Sequence, residues 1–304
     1  MNSEFLKYIN DEAQRLSGVY VPLRAGFLRQ RLVRRVPLSW LRPNPDDEFC
    51  SRDIGPNDGI IARYARAYRE MKPATDLTDF IPDGSFDSDS VLNPLIVQRI
   101  HPGGYMILNG HHRWAAARQV GRKTIRVCVV NLTQKQDVQK ALDLSKNTKR
   151  ATLDLDEVVF CEKGAPCEKA LPFPLSRVYP QRVRLGVPAL FHRLAQWGYD
   201  VWVYSSGYYS MDEITHLLGH HRARVTCAVT GTARKGPRGA RMDEQLEAML
   251  ARKYTQTVHI DQKSILFVDS QSRRFEEYLL SGTDESWSRE IIGLMGKKDV
   301  HANS

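Results

Sequence analysis

Asp154-Leu155-Asp156-Glu157-Val158 places two carboxylates one residue apart at the end of a short apolar run, Ala151 to Leu153. A strand end exposes alternate side chains on one face, so Asp154 and Asp156 can share a pocket while Leu155 turns away. Such a pair can divide phosphate chemistry, one carboxylate attacking and the other moving protons. Acidic pairs of this spacing are also common in solvated loops, and the motif gains meaning only from its partners in the C-terminal half of the chain.

Gly198-Tyr199-Asp200-Val201-Trp202-Val203-Tyr204 reads as a turn and an apolar strand ending in Ser205-Ser206-Gly207, where a hydroxyl can hold a phosphate oxygen. Ser264-Ile265-Leu266-Phe267-Val268 reads as a further buried strand ending in Asp269, with Lys253 sixteen positions earlier. Apolar residues at three-and-four spacing predict helices over Pro188 to Trp197 and Met242 to Lys253. The order strand, helix, strand, helix, strand predicts an α/β sheet with these polar residues beyond the carboxyl ends of parallel strands.

These residues resemble the four motifs of the haloacid dehalogenase superfamily, over about residues 149 to 298, and most closely its small C-terminal-domain phosphatase branch. The resemblance implies a Rossmann-like parallel sheet with helices on both faces and a Mg²⁺-dependent phosphomonoester hydrolase. Asp154 is then the nucleophile and Asp156 the proton donor and acceptor, with Ser205 and Lys253 holding phosphoryl oxygens. Mg²⁺ is expected on Asp154, the main-chain carbonyl of Asp156 and Asp269. The last acidic motif is often a pair, and here Ser270 follows Asp269, so Glu276 or Glu277 is the available substitute. The interval between Asp156 and Ser205 leaves no room for a cap domain. An open site suits a phosphoprotein or a nucleic-acid end, although a small phosphorylated molecule also fits.

A second constellation lies upstream. Tyr105-Met106-Ile107-Leu108-Asn109-Gly110-His111-His112-Arg113 runs from a strand through a glycine turn into a helix. Such a junction offers backbone N–H groups and a helix dipole to an anion, and Arg113 adds a bidentate donor. Val36 to Pro45 precedes a helical stretch, Asp58 to Met71, and Asn93 to Val97 leads through Gly103-Gly104 into the histidine motif. Over about residues 35 to 132 this arrangement resembles the ParB N-terminal, sulfiredoxin and free-serine kinase superfamily, a small α+β fold. Asn44-Pro45 matches a ParB feature, with Arg52 a counterpart of its following arginine, and Gly-His-His-Arg is nearest the serine-kinase branch. The resemblance implies an ATP, ADP or CTP site at Asn44, Gly110, His111, His112 and Arg113, and a kinase base among Asp46, Asp47 and Glu48.

The chain of 304 residues is about twice the usual domain length. The expected division is a basic extension over 1–34, a ParB/sulfiredoxin-like domain over 35–148, a phosphatase-like domain over 149–298 and a tail over 299–304. The net charge of +9 favours acidic partners, nucleic acid among them, and residues Arg234 and Lys235 lie in a basic, glycine-containing stretch. No helix-turn-helix with a basic recognition face is evident. Five scattered cysteines give no Cys-x-x-Cys pair, so neither a zinc ribbon nor a disulfide framework is expected. No apolar run is long enough to span a membrane, and a reducing cytoplasm is the expected location.

Two other assignments compete with a phosphatase. One is a nucleotide-switched nucleic-acid-binding protein in which the phosphatase-like fold is structural. The other is a bifunctional kinase and phosphatase acting on one hydroxyl.

Overall fold

The computed structural model describes residues 3–302 except 17–18, 27–29, 31–32, 52, 71–92, 163, 233–236, 271, 273 and 284. Arg52, Arg234 and Lys235 therefore lie outside the described residues. The contacts divide the chain into two units, 1–132 with 233–240, and 133–232 with 241–304. Each is a mixture of sheet and helix, as the patterns require.

The first unit contains α1 (Ser3–Leu16), β1 (Val21–Pro22), β2 (Arg34–Pro37), β3 (Leu41–Arg42), α2 (Asp58–Glu70), β4 (Leu95–His101), β5 (Tyr105–Asn109), α3 (His111–Gln119) and β6 (Thr124–Val129). Its sheet runs β2-β6-β4-β5-β3, with β1 added to β4. β4 and β5 form an antiparallel hairpin through Gly103-Gly104. Gly104 has a φ of +92° and passes so close to Trp40 that a Cβ would lie 2.4 Å from its carbonyl oxygen, so only glycine fits. Leu95, Val97, Ile107 and Val127 of the sheet pack with Ile61 and Ala65 of α2 and Trp114 to Ala117 of α3. The burial of Trp114, Ala115, Ala116 and Ala117 explains why α3 shows no amphipathic pattern in sequence.

The second unit adds α4 (Lys135–Leu144), β7 (Lys149–Asp154), α5 (Val187–Gln196), β8 (Tyr199–Ser205), α6 (Met211–His220), β9 (Cys227–Thr230), α7 (Pro237–Lys253, in this unit from Arg241 on), β10 (Gln256–Ile260), β11 (Ser264–Asp269), β12 (Arg274–Leu279) and α8 (Trp287–Ala302). Its sheet order is β12-β11-β10-β7-β8-β9. The four strands β10, β7, β8 and β9 are parallel, and β11 and β12 continue antiparallel. Alternation along β8 divides the core: Val201 and Val203 pack with α5, α6 and α8, whereas Trp202 packs with α4 and α7.

Two features differ from the sequence expectations. β11 was expected to be a parallel strand, but only three residues separate it from β10, and so short a link allows a hairpin and no crossover. Cys161 and Cys167 are joined in a disulfide, whereas Cys50, Cys128 and Cys227 are free. The bridge closes a short loop after β7, in which Cys161 N donates to Arg182 O and Glu168 N to Val183 O. Among the described residues no helix is long and apolar enough to cross a membrane.

Candidate functional site

The carboxyl ends of β7 and β8 bring Asp154, Asp156 and Ser205 together. Asp154 Oδ1 accepts from the N–H groups of Asp156 and Glu157, both at 2.8 Å, and so caps a helical turn over Leu155–Val159. That turn replaces the extended strand end expected from the motif. It swings Asp156 towards β8, where Ser205 Oγ donates to Asp156 Oδ2 at 2.6 Å. Ser205 is fully buried, and its Oγ also accepts from Gly207 N at 2.9 Å. Thr232 N and Oγ1 both donate to Ser205 O at 3.1 Å, fixing the strand end from the β9 side. The Tyr209 hydroxyl bonds to Asp156, and burial together with that carboxylate pushes the phenol pKa up, so Tyr209 stays a neutral donor. Tyr209 thus belongs to the site, in line with its position shortly after Ser205.

Lys253 and Asp269 do not join this group. Asp269 pairs with Gln256, which pairs with Lys149, the first residue of β7. Asp154 stands five residues further along that strand, about 16 Å away at the usual strand rise. Lys253 Nζ donates to Ser145 O at 2.7 Å, also ahead of β7. Both residues therefore occupy the amino end of the parallel strands, because β11 runs antiparallel and α7 ends where β10 begins. Glu276 and Glu277 lie on β12, opposite Phe267 and Leu266.

Asp261 follows the end of β10, on the strand next to β7. Ile260, the last residue of β10, pairs with Leu153 in parallel register, so Asp261 and Asp154 follow neighbouring strand ends. Asp261 is exposed, and its carbonyl accepts from Trp287 Nε1 at 3.3 Å. Gln262 beside it bonds Glu157 O and Glu162 Oε1, tying the β10 end to the turn after Asp154. The signal was present as Thr257-Val258-His259-Ile260-Asp261, but the histidine interrupts the apolar run. His259 is accommodated by a 2.7 Å hydrogen bond to Thr152 Oγ1 on β7. Asp154, Asp156 and Asp261 offer only oxygen atoms, the donor type that Mg²⁺ prefers. No three His, Cys, Asp or Glu side chains among the described residues are gathered as a ready metal cage.

In the first unit, Gly110 is the left-handed residue that turns β5 into α3, with a φ of +98°. The next residues were expected to hold phosphate, but two of the three side chains serve the fold. Arg113 is buried, and its guanidinium donates to Asn93 O at 2.8 Å and Asn109 Oδ1 at 2.9 Å. His111 is also buried; its Nε2 accepts from Asn44 N at 3.1 Å, and its Nδ1 lies 3.4 Å from Asp47 Oδ1. Burial pushes the His111 pKa down to about 4, against the opposing pull of Asp47, so the ring is neutral.

Of the acids expected to supply a base, Asp47 is held by the fold through its carboxylate. Asp47 Oδ1 accepts from Phe49 N at 2.9 Å, and Asp46 N donates to Asn44 Oδ1 at 3.1 Å. Glu48 stands in the first turn of a short helix, Glu48–Cys50. His112 Nε2 accepts from Asn57 N at 3.2 Å. Beside it, Gly110, His112, Arg113, Asn109, Ile60, Arg63 and Tyr64 line a cavity of about 200 Å³. Arg63 and Tyr64 come from α2, and nothing in their local sequence marked them for this place.

Residues 74–146 match the ParB N-terminal domain family model. Over 73 residues the chain is 30% identical to the probable chromosome-partitioning protein ParB of Vibrio cholerae serotype O1 (strain ATCC 39315 / El Tor Inaba N16961), covering 24% of each chain. The chain thus spans about a quarter of that relative's length. Among solved structures, the C-terminally truncated chromosome-partitioning protein ParB from Caulobacter crescentus, complexed to the centromeric parS site, aligns at 23% identity with a TM-score of 0.22. That alignment covers 38% of this chain and 50% of the other. The N-terminal half of this chain therefore carries a ParB-like domain, and the family-model match over 74–146 includes the Gly110 to Arg113 turn.

Proposed function

We propose that this chain binds nucleic acid through its ParB-like unit and hydrolyses a phosphomonoester at the carboxyl end of its second sheet. The similarity to chromosome-partitioning ParB supports the binding half, and the net charge of +9 agrees with it. The hydrolytic half rests chiefly on one observation, the 2.6 Å bond from Ser205 to Asp156 beside Asp154. In this reading an Asp154 carboxylate oxygen attacks phosphorus as the bond to the leaving oxygen breaks, and Asp156 gives that oxygen its proton. Asp156 then takes a proton from water as the water oxygen attacks the aspartyl-phosphate, which releases phosphate and restores Asp154. Ser205 and the N–H groups now turned to Asp154 can bind phosphoryl oxygens. Asp154, Asp261 and the Asp156 carbonyl would hold a Mg²⁺ ion, which would supply charge neutralisation.

At the ParB-like unit, the cavity beside Gly110 and His112 suits a nucleotide phosphate, ATP, ADP or CTP. The first-turn N–H groups of α3 and Arg63 are its donors, and Arg113, whose guanidinium bonds Asn93 and Asn109, shapes the turn and lines the cavity. A second reading, a nucleotide-switched nucleic-acid-binding protein with a structural second sheet, is favoured by the comparisons, which reach only the ParB-like part. Incubation with a terminally phosphorylated oligonucleotide separates the two. Salt-sensitive binding with phosphate release supports the first reading; binding without release supports the second.

A further inference from the structure

The sheet of the second unit ends at β12, and among the described residues no strand pairs with its outer edge. All six residues of this strand are exposed, Phe275 and Leu279 at 76% and 79%. Ile265 and Phe267 of β11 face the core that contains α8. Leu266 and Val268 therefore face the other way, together with their register partners Glu277 and Phe275. On that second face α4 and α7 pack against β8 and β9, and no residue of β10, β11 or β12 joins their cluster. β12 thus combines an open row of backbone donors and acceptors with an apolar stripe of Phe275 and Leu279, a template for another strand.

We propose that the occupant is β12 of a second copy, paired antiparallel across a twofold axis at Glu277. Two copies that make one continuous sheet keep their faces aligned, so residues directly opposite must both be odd-numbered or both even-numbered. With the axis at Glu277, Phe275 lies opposite the partner's Leu279 and Leu279 opposite the partner's Phe275. On the other face Glu276 and Tyr278 are already satisfied within one chain, Glu276 Oε2 accepting from the Tyr278 hydroxyl at 3.0 Å and from Lys298 Nζ at 2.6 Å, so the apolar pairs alone select the register. Moving the axis to Glu276 sets Phe275 against the partner's Glu277 and forfeits both apolar pairs; moving it to Tyr278 sets Leu279 against the partner's Glu277. The sequence Arg274-Phe275-Glu276-Glu277-Tyr278-Leu279 is therefore self-complementary in one register. Its single unfavourable pair is Glu277 against the partner's Glu277, since like charges directly opposite destabilise a sheet. Association is accordingly weak and reversible.

Sedimentation of the full chain across a concentration series tests this. A monomer–dimer equilibrium is expected, tightened about twofold to fivefold by Glu277→Gln. Leu279→Lys combined with Phe275→Lys is expected to weaken it about tenfold or more, from the loss of two apolar pairs and the added charge. These positions are exposed, and circular dichroism confirms that each variant is folded. Register is read by cysteine crosslinking under mild oxidation: Glu277→Cys links two copies on the axis, whereas Glu276→Cys and the unmodified chain do not. A chain that stays monomeric at all concentrations overturns the proposal and leaves the edge for a different protein's strand. Crosslinking at 276 in preference to 277 also overturns it.

Discussion

At the residue scale, Asp154 and Asp156 have different surroundings despite their spacing of two. Asp154 is held by main-chain N–H groups and Asp156 by the hydroxyls of Ser205 and Tyr209. In the proposed reaction Asp156 moves the protons, and Asp156→Asn is expected to lower phosphate release by about 10²–10⁴-fold. Steady-state kinetics on the variant checks this. His111 gives a prediction of another kind. Its pKa in the fold, about 4, lies below the ordinary histidine value of 6.5, so the unfolded chain binds the proton first as pH falls. The stabilisation from the neutral ring is complete above pH 6.5 and is lost progressively down to pH 4. Denaturation midpoints across that window should fall with pH, and His111→Gln should flatten the part of the slope due to this ring.

At the element scale, the strand–turn–helix of Gly110 was legible because glycine, histidine and arginine punctuate an apolar run. The roles of its side chains were not. Whether Arg113 meets a ligand or the chain's own carbonyls depends on Asn93 and Asn109, which only the folded β4–β5 hairpin brings near. Gly110 itself is required: a Cβ there would lie 2.5 Å from Leu95 Cδ2, with φ at +98°. Gly110→Ala should cost about 1–3 kcal/mol of stability, measurable by urea denaturation. In the second unit the apolar runs of β7, β8 and β11 were visible, but strand direction was not. Recognising β10 despite its histidine would have settled it, because the link after β10 is too short for a crossover. Missing β10 grouped Asp269 with Asp154, although the two lie at opposite ends of the sheet.

At the scale of the whole molecule, a ParB-like unit and a parallel-sheet unit share one chain, and a nucleic-acid substrate would give both a part in one task. If the basic charge drives that union, affinity for a phosphorylated oligonucleotide should fall steeply with salt, its logarithm declining linearly with the logarithm of salt concentration. Fluorescence anisotropy between low and physiological salt measures this, and a flat response would remove nucleic acid as the substrate. The disulfide between Cys161 and Cys167 was not expected from the scattered cysteines, whose pairing depends on the loop after β7 folding back on residues 182 to 185. The most direct measurement is Mg²⁺-dependent phosphate release from a terminally phosphorylated oligonucleotide by the unmodified chain, Asp154→Asn, Asp261→Asn and Asp269→Asn. A phosphatase built on Asp154 and Asp261 requires release that is abolished in Asp154→Asn, strongly reduced in Asp261→Asn and retained in Asp269→Asn. Release that survives Asp154→Asn, or none from the unmodified chain, would contradict it.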